Sequence, residues 1–245
     1  MLTSIKKLIS GAVTKVFPFF QRAGLGHAGY LRGSISEKDI GEPGPLIAER
    51  FAKLRDVPGW FNVDDTGHFS LVLAYQSAMG VTGDLLEIGS YHGRSTSLMA
   101  TFLQPDEKIV VCDAFESGTE DNYPDKPSVE TLLRNIRRLT PDLGDKQIVV
   151  HQCLSNDLRL ASTDTFRFVH IDGGHSAEQV YFDLKLCASH TMTGGVIVVD
   201  DYHNRRWPGV TEGTDRFLDE VTDLGVLADL NRHGALGRKL YLVKL

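Results

Sequence analysis

The sequence lacks the G-x-G-x-x-G run that closes backbone amides on a pyrophosphate. Its nearest glycine pair is Gly89-x-x-x-Gly93, and the next glycine, Gly118, comes far too late, which disfavours a dinucleotide. Cysteine is scarce: Cys112, Cys153 and Cys187 lie far apart with no metal-ligand spacing, and they read as buried, reduced core residues. No apolar run reaches the length of a membrane span. The start of the chain, with its lysines and an interrupting glycine, makes a poor signal peptide, so a cytoplasmic location is expected. Basic excess is missing too. A formal net charge of −6 argues against nonspecific nucleic-acid binding by the body of the protein. No internal repeat or low-complexity segment stands out.

What is present is a substantial core: hydrophobic residues make up 42% of the 245, which excludes disorder for most of the length. One large domain is expected over 46–245, preceded by an extension and linker over 1–45. The first 36 residues carry Lys6, Lys7, Lys15, Arg22 and Arg32 and no acid before Glu37. Leu2, Ile5, Ile9, Ala12, Val13 and Val16 recur at helical spacing until Pro18. A basic amphipathic helix over residues 1–20 suits peripheral contact with an anionic membrane; packing on the body or on a neighbouring subunit is an equal reading. Gly41 to Pro45 reads as the linker.

The centre of the chain is Leu85–Ser97, LLEIGSYHGRSTS. An apolar run enters a glycine turn and emerges into a helical pattern, the signature of a buried parallel strand opening a helix. Gly89 is expected to let the backbone turn sharply, and Gly93 to let a ligand come close to the helix start. Open α/β sheets bind ligands at such strand ends. Asp113, twenty residues beyond Gly93, closes the next apolar run at the distance suited to gripping ribose hydroxyls. A lone glycine pair fits an ordinary strand–turn–helix junction. Glu87 inside an apolar strand does not, because a buried carboxylate is costly unless paired.

Around this centre the pattern alternates. Helices are expected over Leu46–Leu54, His68–Met79, Arg94–Leu103, Ser128–Leu139, from a Ser176–Gln179 capping box to His190, and over Thr214–Leu224. Strands are expected over Leu85–Ile88, Ile109–Cys112, Gln147–Gln152, Phe166–Ile171 and Val196–Val199. Gly225–Leu230 and Lys239–Val243 then read as an antiparallel hairpin. The fold class is α/β: a Rossmann-like seven-stranded, mostly parallel sheet with helices on both faces and a C-terminal antiparallel hairpin.

Two further strand ends carry acids. FVHIDGGHS ends a strand on Asp172, followed by Gly173, Gly174 and His175; VIVVDDYH ends the next on Asp200 and Asp201. Three carboxylates converging on one edge repel or take up protons unless a cation compensates them. A hard divalent ion with oxygen ligands is the natural remedy, and Mg²⁺ keeps positions open for water and substrate.

E-x-G-x-x-x-G followed by an acid on the next strand resembles the class I S-adenosylmethionine-dependent methyltransferases. EIGSYHGRSTSLMA resembles the cofactor motif of catechol O-methyltransferases, while IDGGHSAEQVYFDL with GGVIVVDDY resembles the metal-dependent macrocin and mycinamicin sugar O-methyltransferases. The resemblance covers roughly residues 85 to 217. It implies S-adenosyl-L-methionine held by Glu87, Gly89, Ser90, Tyr91, Gly93 and Ser95 at its methionine end, by Asp113 at the ribose and by Ser155 near the adenine. It implies Mg²⁺ on Asp172, Asp200 and Asp201, and His175, three places after the first metal aspartate, as general base. Relatives commonly assemble, so a homo-oligomer is expected. Gly173 and Gly174 replace the large side chains of the catechol enzymes, which weakens the case for an aromatic acceptor. Metal chelation suits two adjacent oxygens, a vicinal diol on a sugar or a catechol, and a sugar or other small polyhydroxylated molecule is the expected acceptor.

The chemistry stands without the resemblance. Methyl transfer from a sulfonium is an in-line displacement; a metal orients an acceptor hydroxyl and lowers its pKa, and an imidazole within reach takes the proton. His170 reads as core, His203 as a solvated loop residue and His92 as a shield for the cofactor. Trp207 with Arg205 or Arg206, in the long loop Tyr202–Thr214, reads as a cover for the acceptor or, for Trp207, a packing anchor. Two other readings compete: a metal-independent or hydroxylating relative on the same fold, and a catalytically idle domain attached to a membrane or partner.

Overall fold

The computed structural model describes residues 43–115, 126–232 and 237–245. The amphipathic segment 1–20 and most of the polar loop after Asp113 lie outside them. Among the described residues, no helix is long and apolar enough to cross a membrane.

Helix α1 (Pro43–Leu54) begins within the stretch expected to be linker, with proline at its first position, where a missing N–H costs nothing. Helix α2 (Val63–Ala78) starts five residues before the expected His68. The reason is a cap in VPGWFNVDD, a stretch that reads as irregular: Asn62 accepts from the Asp65 amide while Asp65 accepts from that of Asn62, 3.0 and 2.9 Å. Then come β1 (Asp84–Ile88), α3 (Arg94–Ala100), β2 (Ile109–Asp113), α4 (Val129–Leu139), β3 (Ile148–Gln152) and β4 (Phe166–Ile171). They follow the expected order.

Helix α5 (Ala177–His190) is capped by Ser176, whose hydroxyl accepts from the Gln179 amide. The expected reciprocal half of the box is absent, because the Gln179 side chain bonds elsewhere. Strand β5 (Thr191–Tyr202) is three times the expected length. Gly194 and Gly195 lie inside it rather than before it, and a Cβ on Gly195 would overlap the Met192 and Phe166 carbonyls at 2.8 and 3.0 Å. Helix α6 (Pro208–Glu220) converts half of the expected Tyr202–Thr214 loop into helix, again with proline at its start. Strands β6 (Leu224–Asn231) and β7 (Arg238–Lys244) form the hairpin.

The seven strands run β3-β2-β1-β4-β5-β7-β6, parallel except for β7, which is antiparallel to both neighbours. Side chains alternate across the sheet with period two and feed two cores. Leu86, Ile88, Val169, Ile171, Ile197 and Val199 pack under α5 and α6. Leu85, Ile109, Phe168, Val198 and Tyr241 pack under α1 to α4. Cys112 and Cys187 are buried free thiols and Cys153 is half-buried, 3.9 Å from Cys112 sulfur to sulfur.

At the N-terminal edge of the parallel strands, a fully buried Arg167 pairs with Glu107 through two 2.8 Å contacts. Its remaining donors reach Gln76 at 3.1 Å and the Phe102 carbonyl at 2.8 Å. With each guanidinium nitrogen hydrogen-bonded and the charge paired with Glu107, the arginine is tolerated in the core. This leaves the opposite, carboxyl edge of the sheet for chemistry.

Candidate active site

The turn between β1 and α3 is built by the backbone. Gly89, Tyr91 and Gly93 all have positive φ, 82°, 51° and 81°. The Asp113 carboxylate ties them down: one oxygen accepts from the Ser90 and Tyr91 amides at 2.7 and 2.8 Å, the other from the Phe115 amide at 2.7 Å. The acid expected at the ribose therefore also shapes the loop. Asn135 of α4 holds the far side through the His92 carbonyl at 2.8 Å. A Cβ on Gly93 would lie 2.4 Å from Leu132 Cδ1, and its φ of 81° is left-handed, so the backbone there favours glycine whether or not a ligand comes close.

Glu87 is fully buried. It accepts from Ser95 at 2.5 Å, from Thr96, and from His170 Nδ1, which lies 2.7 Å away. Glu87 thus spends its oxygens on Ser95, Thr96 and His170, beneath the loop. Ser155 sits in the turn after β3, where its hydroxyl accepts from Gln179 Nε2 at 2.7 Å. Gln179 also reaches Asn156 at 3.2 Å and the buried Asp183 at 2.9 Å.

The second Asp183 oxygen has no hydrogen-bond partner among the described residues. Burial pushes the Asp183 carboxyl up to about 6, against the hydrogen bonds from Ser155 and Gln179. Its folded pKa lies above its unfolded value near 3.8, so the folded state holds the proton longer and loses stability as pH rises from about 4 to 6. About two pK units correspond to roughly 3 kcal/mol. Asp183→Asn is accordingly expected to be more stable than the parent above pH 6, with the gain vanishing at pH 4. Urea melts at the two pH values check this.

The acid edge assembles as the sequence suggests. Asp172, His175, Asp200 and Asp201 line one cleft, walled by Val180 and Val210. The cleft abuts the glycine turn, since the missing Cβ of Gly89 would fall 2.0 Å from the Asp172 carbonyl. His175 lies flat on Trp207, ring centres 4.0 Å apart at 11°, with Nε2 3.5 Å from Asp201. Trp207 thus touches the candidate base, whereas Arg205 and Arg206 are exposed. Asp201 also accepts from Asn204 at 2.8 Å. The protein around Asp172 and the charge of Asp200 push its carboxyl well above the usual range, although one side of the residue is open to solvent.

Sequence reasoning missed the two cations here. Lys239 of β7, fully buried, donates to Asp200 Oδ2 and lies 3.2 Å from His170 Nε2. Arg232, just past β6, donates to Asp200 Oδ1 at 2.8 Å, to Asp65 at 3.0 Å and to the Trp60 carbonyl. Burial would raise the Asp200 pKa, but Lys239, His170 and Arg232 overcome it and hold the carboxyl well below the usual range. His170 is fully buried, as expected of a core residue, with both ring nitrogens next to charged groups. Burial and Lys239 lower its pKa, Asp200 and Glu87 raise it more, and the balance is about 8.

Residues 86–202 match the family model described as a methyltransferase domain. Among solved structures, the O-methyltransferase NovP is 21% identical, covering 80% of this chain and 87% of its own, with a TM-score of 0.58. An O-methyltransferase from Bacillus cereus in complex with SAH is 17% identical, covering 86% and 93%, at 0.55. CalS11, a TDP-rhamnose 3′-O-methyltransferase of calicheamicin biosynthesis, is 16% identical, covering 83% and 95%, at 0.51. At these identities the likeness is one of fold.

Proposed function

We propose that the protein is an S-adenosylmethionine-dependent O-methyltransferase acting on a hydroxyl of a sugar or similar small polyhydroxylated molecule. The match of residues 86–202 to a methyltransferase-domain model and the fold shared with O-methyltransferases support this reading. The observation that carries the reading is the convergence of Asp172, His175 and Asp201 in one cleft beside the Gly89 turn. The turn and Asp113 receive S-adenosyl-L-methionine, and Ser155 lies towards its adenine. The acceptor hydroxyl enters the cleft opposite the sulfonium.

In the transfer, the acceptor oxygen forms a bond to the methyl carbon as the carbon–sulfur bond breaks, leaving a thioether. The hydroxyl proton passes to His175, which Trp207 holds flat and Asp201 faces. The donor set also fits a hard cation. Asp172 and Asp201 offer carboxylate oxygens to the cleft, and Mg²⁺ needs only one or two such ligands besides water. When bound there by Asp172 and Asp201, with Asp200 behind them, it would lower the pKa of the acceptor hydroxyl.

A metal-independent transferase on the same fold is the second reading, favoured by the two protein cations on Asp200. The purified protein is expected to bind S-adenosylhomocysteine and to pass a labelled methyl group to a member of a glycoside and polyol panel. Turnover that survives EDTA supports the second reading over the first. Failure to bind S-adenosylhomocysteine at all sinks both.

A further inference from the structure

Glu87, His170, Asp200 and Lys239 occupy the same face of four adjacent strands, each two residues from an apolar neighbour of the core beneath α2. Glu87 and His170 are register partners. Ligand atoms of His170, Asp172 and Asp200 lie within 4.8 Å of one another, the separation that suits a shared metal ion. In this chain a cation already stands there. The Lys239 ammonium touches Asp200 Oδ2 and sits 3.2 Å from His170 Nε2.

We infer that Lys239 is the resident cation of the acid edge, and that with Arg232 it withholds Asp200 from metal ligation, leaving a divalent ion to Asp172 and Asp201 alone. An ion bound to both Asp200 Oδ2 and His170 Nε2 lies about 2.0 to 2.2 Å from each, in space the ammonium fills. Nor can the ammonium easily leave. Lys239 is fully buried, and its Nζ lies 5.5 Å from the ring centres of both Phe61 and Phe69, an environment that favours a cation. The other Asp200 oxygen accepts from Arg232 and from the Asp201 amide at 2.7 Å. Asp172 and Asp201 differ. Asp172 has no ion pair among the described residues; Asp201 accepts from Asn204 at 2.8 Å and faces His175 at 3.5 Å, and Arg232 approaches it no closer than 3.9 Å.

The inference rests on the proposed metal at this edge, but its test reads metal binding rather than turnover, so either can fail alone. The probe is Mn²⁺, titrated by electron paramagnetic resonance into the full chain saturated with S-adenosylhomocysteine. Asp172→Asn and Asp201→Asn are each expected to weaken Mn²⁺ binding about tenfold or more, and Asp200→Asn by less than about threefold. Lys239→Met is expected to strengthen it by about tenfold or more, through relief of like-charge repulsion. Should that variant fail to fold, Lys239→Gln keeps a donor to Asp200 without the charge. Loss of Mn²⁺ in Asp200→Asn as severe as in Asp172→Asn overturns the inference. If the parent binds no Mn²⁺, the metal half of the proposed function falls. In that case the inference stands only if a lysine variant gains Mn²⁺ binding, and is overturned if none does.

Discussion

Replacing His175 with alanine is expected to lower kcat for the accepted substrate by about 10²- to 10⁴-fold, the usual contribution of a positioned general base. Affinity for S-adenosylhomocysteine should stay within about threefold, because the imidazole faces the acceptor side of the cleft. The geometry makes the loss specific to proton transfer. The ring is held from one side by Trp207, and the backbone beneath it is fixed by the start of α6, where a Cβ on Gly209 would lie 2.5 Å from the His175 carbonyl. Nε2 is 3.5 Å from Asp201, too far for a good hydrogen bond, so the nitrogen is not consumed by a structural partner. Trp207→Ala should cost less, about tenfold, since it loosens the ring without removing it. Partial recovery of His175→Ala activity on adding free imidazole would separate a lost base from a lost packing contact. A kcat within about threefold of the parent would remove His175 from the chemistry.

The alternation of strands and helices and the meeting of Asp172 with Asp200 and Asp201 were legible because each expected strand is a short apolar run ending in a polar residue. What escaped is instructive. The helix starts at Asn62 and Pro208 lie in stretches rich in acids, arginines and glycine, which read as loops until a neighbouring element supplies a surface. Gly194 and Gly195 read as a helix stop, yet they lie within β5, where Gly194 has φ of 81° and the Met192 and Phe166 carbonyls come too close to Gly195 for a Cβ. Lys239 and Arg232 meet acids 39 and 32 residues away, and no local pattern announces such pairs. A signal did exist. A charge inside an apolar strand marks Lys239 before Leu240–Val243 and Arg167 within Phe166–Ile171 just as it marks Glu87. Both are buried and paired. With Lys239 beside it, Asp200 need not rely on a metal for compensation.

Gly89→Ala tests the crossing on which cofactor and acid edge both depend. The new Cβ would lie 2.0 Å from the Asp172 carbonyl oxygen, 2.5 Å from its carbon and 2.7 Å from the Gly173 Cα. All three are backbone atoms, so no rotamer change relieves the overlap. The β1 and β4 tips must separate, although the Asp172 amide donates to the Ile88 carbonyl at 2.8 Å and the Gly89 amide to that of Cys112 at 2.9 Å. Alanine would also occupy φ of 82°, a left-handed conformation that costs a non-glycine residue about 1 to 2 kcal/mol by itself. Together these predict about 3 to 5 kcal/mol of lost stability, and a fall in S-adenosylhomocysteine affinity of about 100-fold or more in any molecules that still fold. Gly144→Ala is the control. That residue has φ of −68°, and its Cβ would make only an ordinary 3.6 Å contact with Gln147. Calorimetric melting and ligand titration of the two variants should therefore diverge sharply. If Gly89→Ala binds S-adenosylhomocysteine like the parent, the cofactor does not lie against this turn.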